Sequence, residues 1–315
     1  QKKTLNDAKV LLGGQCGVGK TSLVKRLLRN RFNPHEKKPG GIDIQRWQIM
    51  VDGQNIRLNL WDFGGQEIMH ATHRFFLTRR SLYMLVLDAR LNEEENRVEY
   101  WLKMIQSFGG DSAVILVGNK IDQQPLDLNR RGLQIEYPQI RAIVESSCAT
   151  GQGIDSLKDI ITKEVGALPH IHDQMLLTWF AVRTRLEQMK RDYIPYYEYV
   201  QVCKDEGITD EVSQRTLIGF LHDLGVVLNF RDDPRLEDTI ILNPEWVTNG
   251  VYKILNYPTL QSNGVLERRQ LSQILPASEY PHDKHLFIMD VLRKFELCFD
   301  FEGQKDERFL IPDLL

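Results

Sequence analysis

Short apolar runs rich in β-branched residues alternate with helix-like patterns over the first half of the chain, from Ala8 to about Gly166. This alternation is typical of an α/β domain, in which the strands form one sheet and the helices cover it. The predicted strands are Ala8–Gly13, Ile42–Val51, Arg57–Trp61, Leu82–Asp88, Val114–Gly118 and Ala142–Ser146.

The second and third of these runs flank Asp52-Gly53, a dipeptide typical of the tight turn between two antiparallel strands. The other runs are separated by helix-length segments, and crossover helices make neighbouring strands parallel. We therefore predict a mixed, mostly parallel six-stranded sheet with helices on both faces. One edge strand of this sheet is expected to run backwards.

After Ala167-Leu168-Pro169 the pattern changes to long amphipathic stretches, which predict a mainly helical second domain. Two β-like runs, Val226–Phe230 and Thr239–Leu242, follow the helices and predict a hairpin, so this domain has a winged-helix-like order. The predicted helices are Leu176–Arg191, Tyr196–Glu206 and Glu211–Leu224. We expect residues 1–166 to form the first domain and residues 167–315 to form the second.

Composition and charge narrow the class of protein. The 315 residues include 42% hydrophobic ones and carry a formal net charge of −3, so the chain lacks the basic field that nucleic-acid binding favours. The expected wing, Arg231–Asp238, is net acidic and would repel phosphates. The four cysteines lack zinc-ligand spacing, and the polar N-terminus lacks a signal-peptide pattern. We expect a cytoplasmic protein without a transmembrane segment and without a nucleic-acid partner.

The segment Gly14-Gln15-Cys16-Gly17-Val18-Gly19-Lys20-Thr21 follows the first predicted strand and leads into a helix. It matches the P-loop pattern, in which glycines allow backbone N–H groups to surround phosphate. Lys20 is expected to place its ammonium between the β- and γ-phosphates, and the Thr21 hydroxyl is expected to bind Mg²⁺. The predicted nucleotide-binding residues of this loop are Gly14, Gln15, Cys16, Gly17, Val18, Gly19, Lys20, Thr21 and Ser22.

Asp62 follows the apolar run of the third predicted strand, so it falls at a carboxyl edge beside the P-loop. A carboxylate in this place can hold Mg²⁺ through a water. Gly65 can offer its backbone N–H to the γ-phosphate, and Gln66 can orient the attacking water. We therefore predict Lys20, Gly65 and Gln66 as catalytic residues and Thr21 and Asp62 as metal ligands. For Gln66, the alternative of a merely solvated loop glutamine stays open.

Asn119-Lys120-Ile121-Asp122 follows the fifth predicted strand. Guanine presents N1–H and an exocyclic amine side by side, so the Asp122 carboxylate can accept from both, whereas adenine lacks this pair. Lys120 can lie along the ring face, and Asn119 can tie the base loop to the P-loop. Beyond the next strand, a backbone N–H of Ser147, Cys148 or Ala149 could meet the guanine O6. The P-loop, the Asp62 segment, the Asn119 loop and the segment Ser147-Cys148-Ala149 follow one another in this order, and together they predict a guanine-nucleotide site.

At these motifs the chain resembles the Ras-like small GTPases, and more closely the Roco family, in which a Roc (Ras of complex proteins) GTPase domain precedes a COR domain. The closer likeness rests on two segments of the second half, Leu224-Gly225-Val226-Val227-Leu228 and Leu242-Asn243-Pro244-Glu245-Trp246-Val247. Within the family, the chain is most similar to bacterial members. The resemblance implies a Ras-like P-loop GTPase fold followed by the N-terminal part of a COR domain.

The resemblance further implies GTP and GDP as ligands, Mg²⁺ as cofactor, protein effectors, and a homodimer in the full-length protein. The family's COR domain continues well beyond the matching part of this chain, so we expect this fragment to be monomeric. Two residues depart from the family pattern. Pro39 stands where many Roc domains carry a Mg²⁺-binding threonine, and Ala149 replaces a frequent lysine of the last guanine loop.

We therefore expect a signalling switch that hydrolyses GTP slowly on its own and relays its nucleotide state through the COR domain to dimerisation and partners. A different hypothesis is a nucleotide-loaded scaffold with negligible hydrolysis, and the missing threonine at Pro39 keeps it open. A winged-helix nucleic-acid-binding protein is disfavoured by the acidic wing.

Overall fold

In the computed structural model, residues 2–36, 41–63, 75–258, 260 and 264–314 are described. Packing divides these residues into two units. The first contains residues 2–36, 41–63, 76–180 and 223–225, and the second contains residues 75, 181–222, 226–258, 260 and 264–314. The domain boundary after residue 166 stays a prediction.

A six-stranded sheet forms the centre of the first unit and confirms the predicted fold class. A separate short strand, β1 (Lys2–Thr4), precedes it in the chain and pairs antiparallel with β8 (Gln174–Leu176). The six strands are β2 (Asp7–Gly13), β3 (Ile42–Val51), β4 (Gln54–Phe63), β5 (Ser81–Asp88), β6 (Val114–Asn119) and β7 (Ile140–Glu145). Their spatial order is β3-β4-β2-β5-β6-β7.

The edge strand β3 pairs antiparallel with β4, and the other neighbours are parallel, as predicted. Val51 pairs with Gln54 across a two-residue turn at Asp52 and Gly53, whose φ angles are 46° and 76°. Two consecutive left-handed residues match the right-handed twist of the strands, which explains why this dipeptide marked the hairpin correctly.

Helices cover both faces of the sheet, because successive strand residues point to opposite sides. On one face, alternate strand residues such as Val10 and Leu12 form a buried cluster that includes Leu23 of α1 (Lys20–Arg29) and Leu157 of α4 (Ile154–Gly166). On the other face, Trp101 of α2 (Val98–Gly109) lies against Gly13. A shorter helix, α3 (Arg130–Glu136), contacts β7.

The second unit is mainly helical, as predicted. Its centre is the packing of α8 (Pro244–Leu255) against α9 (Arg268–Ile274) and α10 (His282–Lys294). Trp246 of α8 is buried there and stacks on Tyr280 at 5.4 Å between ring centroids. No helix in the described part of the chain is long and apolar enough to cross a membrane. The elements from α5 onward are α5 (Leu177–Gln188), β9 (Tyr193–Pro195), α6 (Tyr196–Asp205), α7 (Glu211–Asp223), β10 (Thr239–Ile241), α8 (Pro244–Leu255), β11 (Val265–Glu267), α9 (Arg268–Ile274), α10 (His282–Lys294), β12 (Phe299–Asp300), β13 (Arg308–Leu310) and a 3₁₀ turn at Pro312–Leu314.

The predicted hairpin of Val226–Phe230 with Thr239–Leu242 is only partly formed. The strand β10 pairs antiparallel with β9, and the earlier run contributes a single bridge between Leu228 and Ile241. We missed β9 because Pro195 at its end indicated only a break between two helices. Proline is tolerated at that position because it closes a short two-stranded ladder rather than lying within a larger sheet.

Lys9 is a fully buried lysine on β2. Its Nζ donates to the carbonyl of Phe76 at 2.6 Å and to the hydroxyl of Thr78 at 3.3 Å, and it lies 4.4 Å from the centroid of the Trp61 ring. Burial lowers the pKa of Lys9 to about 7, although the Asp223 carboxylate of the same unit favours the charged form. The first unit therefore contains a lysine that loses its proton near neutral pH.

This gives a pH dependence that can be measured. Above the folded pKa of about 7, Lys9 is neutral in the folded state, whereas an unfolded lysine keeps its proton up to about 10.4. The unfolded state then binds more protons, so the free energy of unfolding rises with pH by up to about 1.4 kcal/mol per unit in this window. We expect Lys9→Met to remove this slope in denaturant titrations at pH 7.5, 8.5 and 9.5. The exposed control Lys163→Met should keep the wild-type slope, and equal slopes in all three proteins would contradict this account.

Candidate functional site

The predicted motifs meet at the carboxyl edge of the sheet. The parallel register of β2 and β4 pairs Leu12 with Asp62, and β6 ends at Asn119, the first residue of the predicted base loop. A cleft of about 290 Å³ opens at this edge. The predicted residues that line it are Cys16, Gly17, Gly19, Lys20, Thr21, Ser22, Asn119, Lys120, Asp122, Cys148 and Ala149.

Val18 and Gly14 fix the P-loop against the core of the first unit. Val18 is fully buried in the core cluster, and a Cβ at Gly14 would lie only 2.2 Å from the carbonyl oxygen of Val86. Lys20 begins α1, and its Nζ donates to the carbonyls of Gly14 at 2.7 Å and Gln15 at 2.9 Å. Its ammonium is thus held over the loop, where a phosphate would gain the most from it.

Asp62 is fully buried beside the loop, at the end of β4. Neither of its carboxylate oxygens has a hydrogen-bond partner among the described residues. Burial raises the pKa of Asp62 to about 6, and the neighbouring Thr21 hydroxyl and Lys20 ammonium offset only part of this effect. Two hard oxygen donors, the Asp62 carboxylate and the Thr21 hydroxyl, therefore lie together. This donor set suits Mg²⁺.

Asn119 connects the P-loop to the last guanine loop. Its Nδ2 donates to the carbonyl of Val18 at 2.9 Å, and its Oδ1 accepts from the backbone N–H of Cys148 at 3.1 Å. The side chain is only 2% exposed, so both hydrogen bonds are shielded from water. A single buried amide therefore links the P-loop to the last guanine loop.

Side-chain hydrogen bonds connect the remaining residues of the base loop to the P-loop and to Ser147. Lys120 adopts a left-handed backbone conformation with φ of 69°, and its Nζ donates to the carbonyl of Gly17 at 2.6 Å. Asp122 is exposed at the rim, where its Oδ1 accepts from the Ser147 hydroxyl at 2.5 Å. The Cys148 thiol is buried, and burial raises its pKa to about 12. The thiol therefore stays protonated at neutral pH.

Three residues that the predictions singled out, Pro39, Gly65 and Gln66, lie outside the described residues. Phe32, which was not among the predicted site residues, is 41% exposed and lines the cleft. An isolated large aromatic in the polar stretch after α1 was the available signal. The other cleft residues that we did not predict are Asn33, Pro34, Glu36, Phe63 and Gln123. The roles of the individual site residues stay predictions.

Two family models match the chain. The model described as "Ras of Complex, Roc, domain of DAPkinase" matches residues 9–122, and the model described as "C-terminal of Roc, COR-A domain" matches residues 177–315. A solved structure, that of Methanosarcina barkeri Roco2 RocCORdC bound to GDP, is 45% identical in sequence and has a TM-score of 0.92, covering 100% of this chain and 98% of that one. The chain belongs to the Roco family. Its first half is a Roc domain, which is a Ras-like GTPase domain, and the expected family membership is confirmed.

Other Roco relatives are much longer than this chain. It is 30% identical over 347 residues to the probable serine/threonine-protein kinase pats1 of Dictyostelium discoideum. This match covers 98% of the present chain but 11% of the kinase. It is 28% identical over 337 residues to the Roc-COR-CHAT protease of Runella zeae, and this match covers 99% of the present chain and 36% of the protease. The chain therefore corresponds to the Roc–COR portion of these multidomain proteins.

Gly19 gives a test of the connection through Asn119. It has φ of 100°, and a Cβ would lie 2.4 Å from the Asn119 Nδ2. We expect Gly19→Ala to displace that amide and weaken GDP binding about 10- to 100-fold, because an unpaired buried donor costs about 1–3 kcal/mol. The matched control is Gly53→Ala, where φ is 76° and no atom lies within 4 Å of the new Cβ. Fluorescence titration with GDP should separate the two variants, and equal affinities would contradict the steric argument.

Proposed function

We propose that the Roc domain of this chain binds GTP and GDP and hydrolyses GTP to GDP and phosphate. The proposal is carried by the buried carboxylate of Asp62, which lies beside Thr21 and Lys20 of the P-loop, next to a cleft lined by the P-loop and the guanine-type base loop. The P-loop would bind the phosphates and the loop at Asn119 would bind the base. The GDP bound to the Methanosarcina barkeri relative supports the same ligand class here.

Mg²⁺ would be held by the Thr21 hydroxyl and, directly or through water, by the Asp62 carboxylate. When bound, the ion neutralises charge that develops on the phosphates during phosphoryl transfer. Its binding would also add a positive charge beside the buried Asp62 carboxylate, whose pKa stays raised despite the nearby Lys20 ammonium. Lys20 would stabilise the β- and γ-phosphates from the loop side.

Catalysis is proposed to depend further on Gly65 and Gln66, through a backbone N–H and an oriented water. Intrinsic hydrolysis should be slow because Pro39 cannot supply the switch threonine. Unassisted GTPases turn over on the order of 10⁻⁴ to 10⁻² s⁻¹. We further propose that the nucleotide state is relayed through the COR domain to dimerisation and protein partners, as the family resemblance implies.

A single-turnover experiment separates this function from the nucleotide-loaded scaffold. Protein loaded with GTP is mixed with Mg²⁺, and phosphate release is followed for the wild type and for Gln66→Leu. We expect slow release by the wild type, loss of release with retained GTP binding in the variant, and no release by either protein in excess chelator. Release at the uncatalysed background rate in fully loaded wild type would favour the scaffold.

Base specificity is predicted to depend on Asp122. A site built around the paired donors of guanine should reject ATP by a factor on the order of 10⁴. Asp122→Asn replaces one carboxylate acceptor by an amide donor, so it should weaken GTP binding and favour xanthosine triphosphate, whose C2 carbonyl accepts from that amide.

The measurement is a competition titration of GTP, ATP and xanthosine triphosphate against both proteins. The control is Asp127→Asn, because Asp127 is exposed but does not line the cleft. It should keep the wild-type preference. A variant at Asp122 that still prefers GTP as strongly as the wild type would show that another group recognises the base.

A further inference from the structure

Asp88 is a buried carboxylate that the predicted motifs do not include. It is the last residue of β5, and the parallel register with β6 places it opposite Asn119, directly beside the base loop. It is 3% exposed, although it does not line the cleft. A charge in such a place needs partners, so its contacts indicate what it does.

The Asp88 carboxylate has a cation on each side. Its Oδ2 accepts from Lys120 Nζ at 2.6 Å and from Arg90 Nη2 at 2.8 Å, and its Oδ1 accepts from Arg90 Nε at 2.9 Å. Burial by itself would raise the pKa of Asp88, but the hydrogen bonds from Arg90 and Lys120 overcome it and lower the pKa to about 2. Asp88 is therefore ionised at neutral pH.

The backbone of Asp88 is fixed as firmly as its side chain. Asn96 is 1% exposed; its Oδ1 accepts from the Asp88 N–H at 2.8 Å and its Nδ2 donates to the Asp88 carbonyl at 3.0 Å. The next residue, Ala89, donates its N–H to the carbonyl of Asn119 at 2.9 Å. The carboxylate is thus a rigid anchor relative to the base loop.

Lys120 spans the distance between this anchor and the P-loop. Its Nζ donates both to the Asp88 Oδ2 and to the Gly17 carbonyl, each at 2.6 Å, while Lys120 itself lines the cleft. A lysine side chain has about 2 kcal/mol of rotamer entropy to lose, so an ammonium without an ionic anchor would leave this position for part of the time. Arg90 is more exposed than Lys120, and its Nη1 donates at 3.3 Å to the Oε1 of Gln123, a residue that lines the cleft.

We propose that Asp88 is a positioning residue for the nucleotide, because it holds Lys120 extended between β5 and the P-loop. This inference rests on the proposed nucleotide binding. With Lys120 pre-ordered, the cleft does not have to order that side chain when a nucleotide enters. Arg90 neutralises the remaining charge of Asp88 and is not itself required to hold Lys120.

The test is a double-mutant cycle with Asp88→Asn and Lys120→Met, read as GDP dissociation rate and GDP affinity. Asp88→Asn keeps the shape but loses the charge, so we expect GDP to dissociate about tenfold faster, as for loss of a charge-assisted hydrogen bond. Adding it to Lys120→Met should change little. The control Asp127→Asn, at an exposed position outside the cleft lining, should leave GDP dissociation within about twofold of the wild type. Multiplying effects in the double variant, or an unchanged rate in Asp88→Asn, would overturn the proposal.

Asp88→Glu keeps the charge and covers the case in which Asp88→Asn does not fold. Its carboxylate is displaced by one methylene, so GDP should dissociate at a rate between those of the wild type and Asp88→Asn, and the wild-type rate would count against the proposal.

A nucleotide-free readout separates this inference from the proposed function. Mass spectrometry after brief acetylation should show several-fold more modification of Lys120 in either Asp88 variant than in the wild type, and equal modification would contradict the anchor even if GDP binding failed.

Discussion

Asn119 holds the P-loop and the last guanine loop together through one buried amide, and the geometry of the cleft depends on it. The Asn119 Nδ2 donates to the carbonyl of Val18, and the Asn119 Oδ1 accepts from the backbone N–H of Cys148. Loss of either hydrogen bond would leave a buried polar group unpaired. The rest of the site is arranged around this connection. Lys120 extends from the next residue to Gly17, and Ser147, one residue before Cys148, holds Asp122.

Asp88, Lys9 and Asp62 are buried charged residues of the first unit, and they differ in the partners that surround them. Asp88 is paired with two cations, which lower its pKa to about 2. Lys9 has carbonyl, hydroxyl and aromatic partners, and burial still brings its pKa down to about 7. Asp62 has no hydrogen-bond partner among the described residues and keeps a raised pKa. The paired charge is suited to positioning, whereas the unpartnered carboxylate is suited to binding a cation.

Much of the Roc fold could be predicted from the sequence because its signals are local. Alternation of apolar residues located the strands of the sheet, and the left-handed pair Asp52 and Gly53 specified the hairpin. The P-loop and the Asn119 loop were readable because phosphate and guanine each require a particular residue at a particular spacing.

The features that were missed depend on contacts distant in the chain. β9 exists only because Thr239–Ile241 pairs with it, and Phe32 and Asp88 gain their places through the return of separate segments to one edge of the sheet. No spacing rule connects Asp88 to Lys120. Such residues become visible only when the register of parallel strands is known.

The close approach of Gly19 to Asn119 also constrains how this sequence can vary. A Cβ at position 19 would lie 2.4 Å from the Asn119 amide nitrogen, so any side chain at the first position requires a smaller or differently placed side chain at the second. Positions that exclude one another in this way cannot drift independently, and substitutions at them are expected to appear as correlated pairs among homologues. A residue without a side chain thus restricts the choice of amino acid at a site far along the chain.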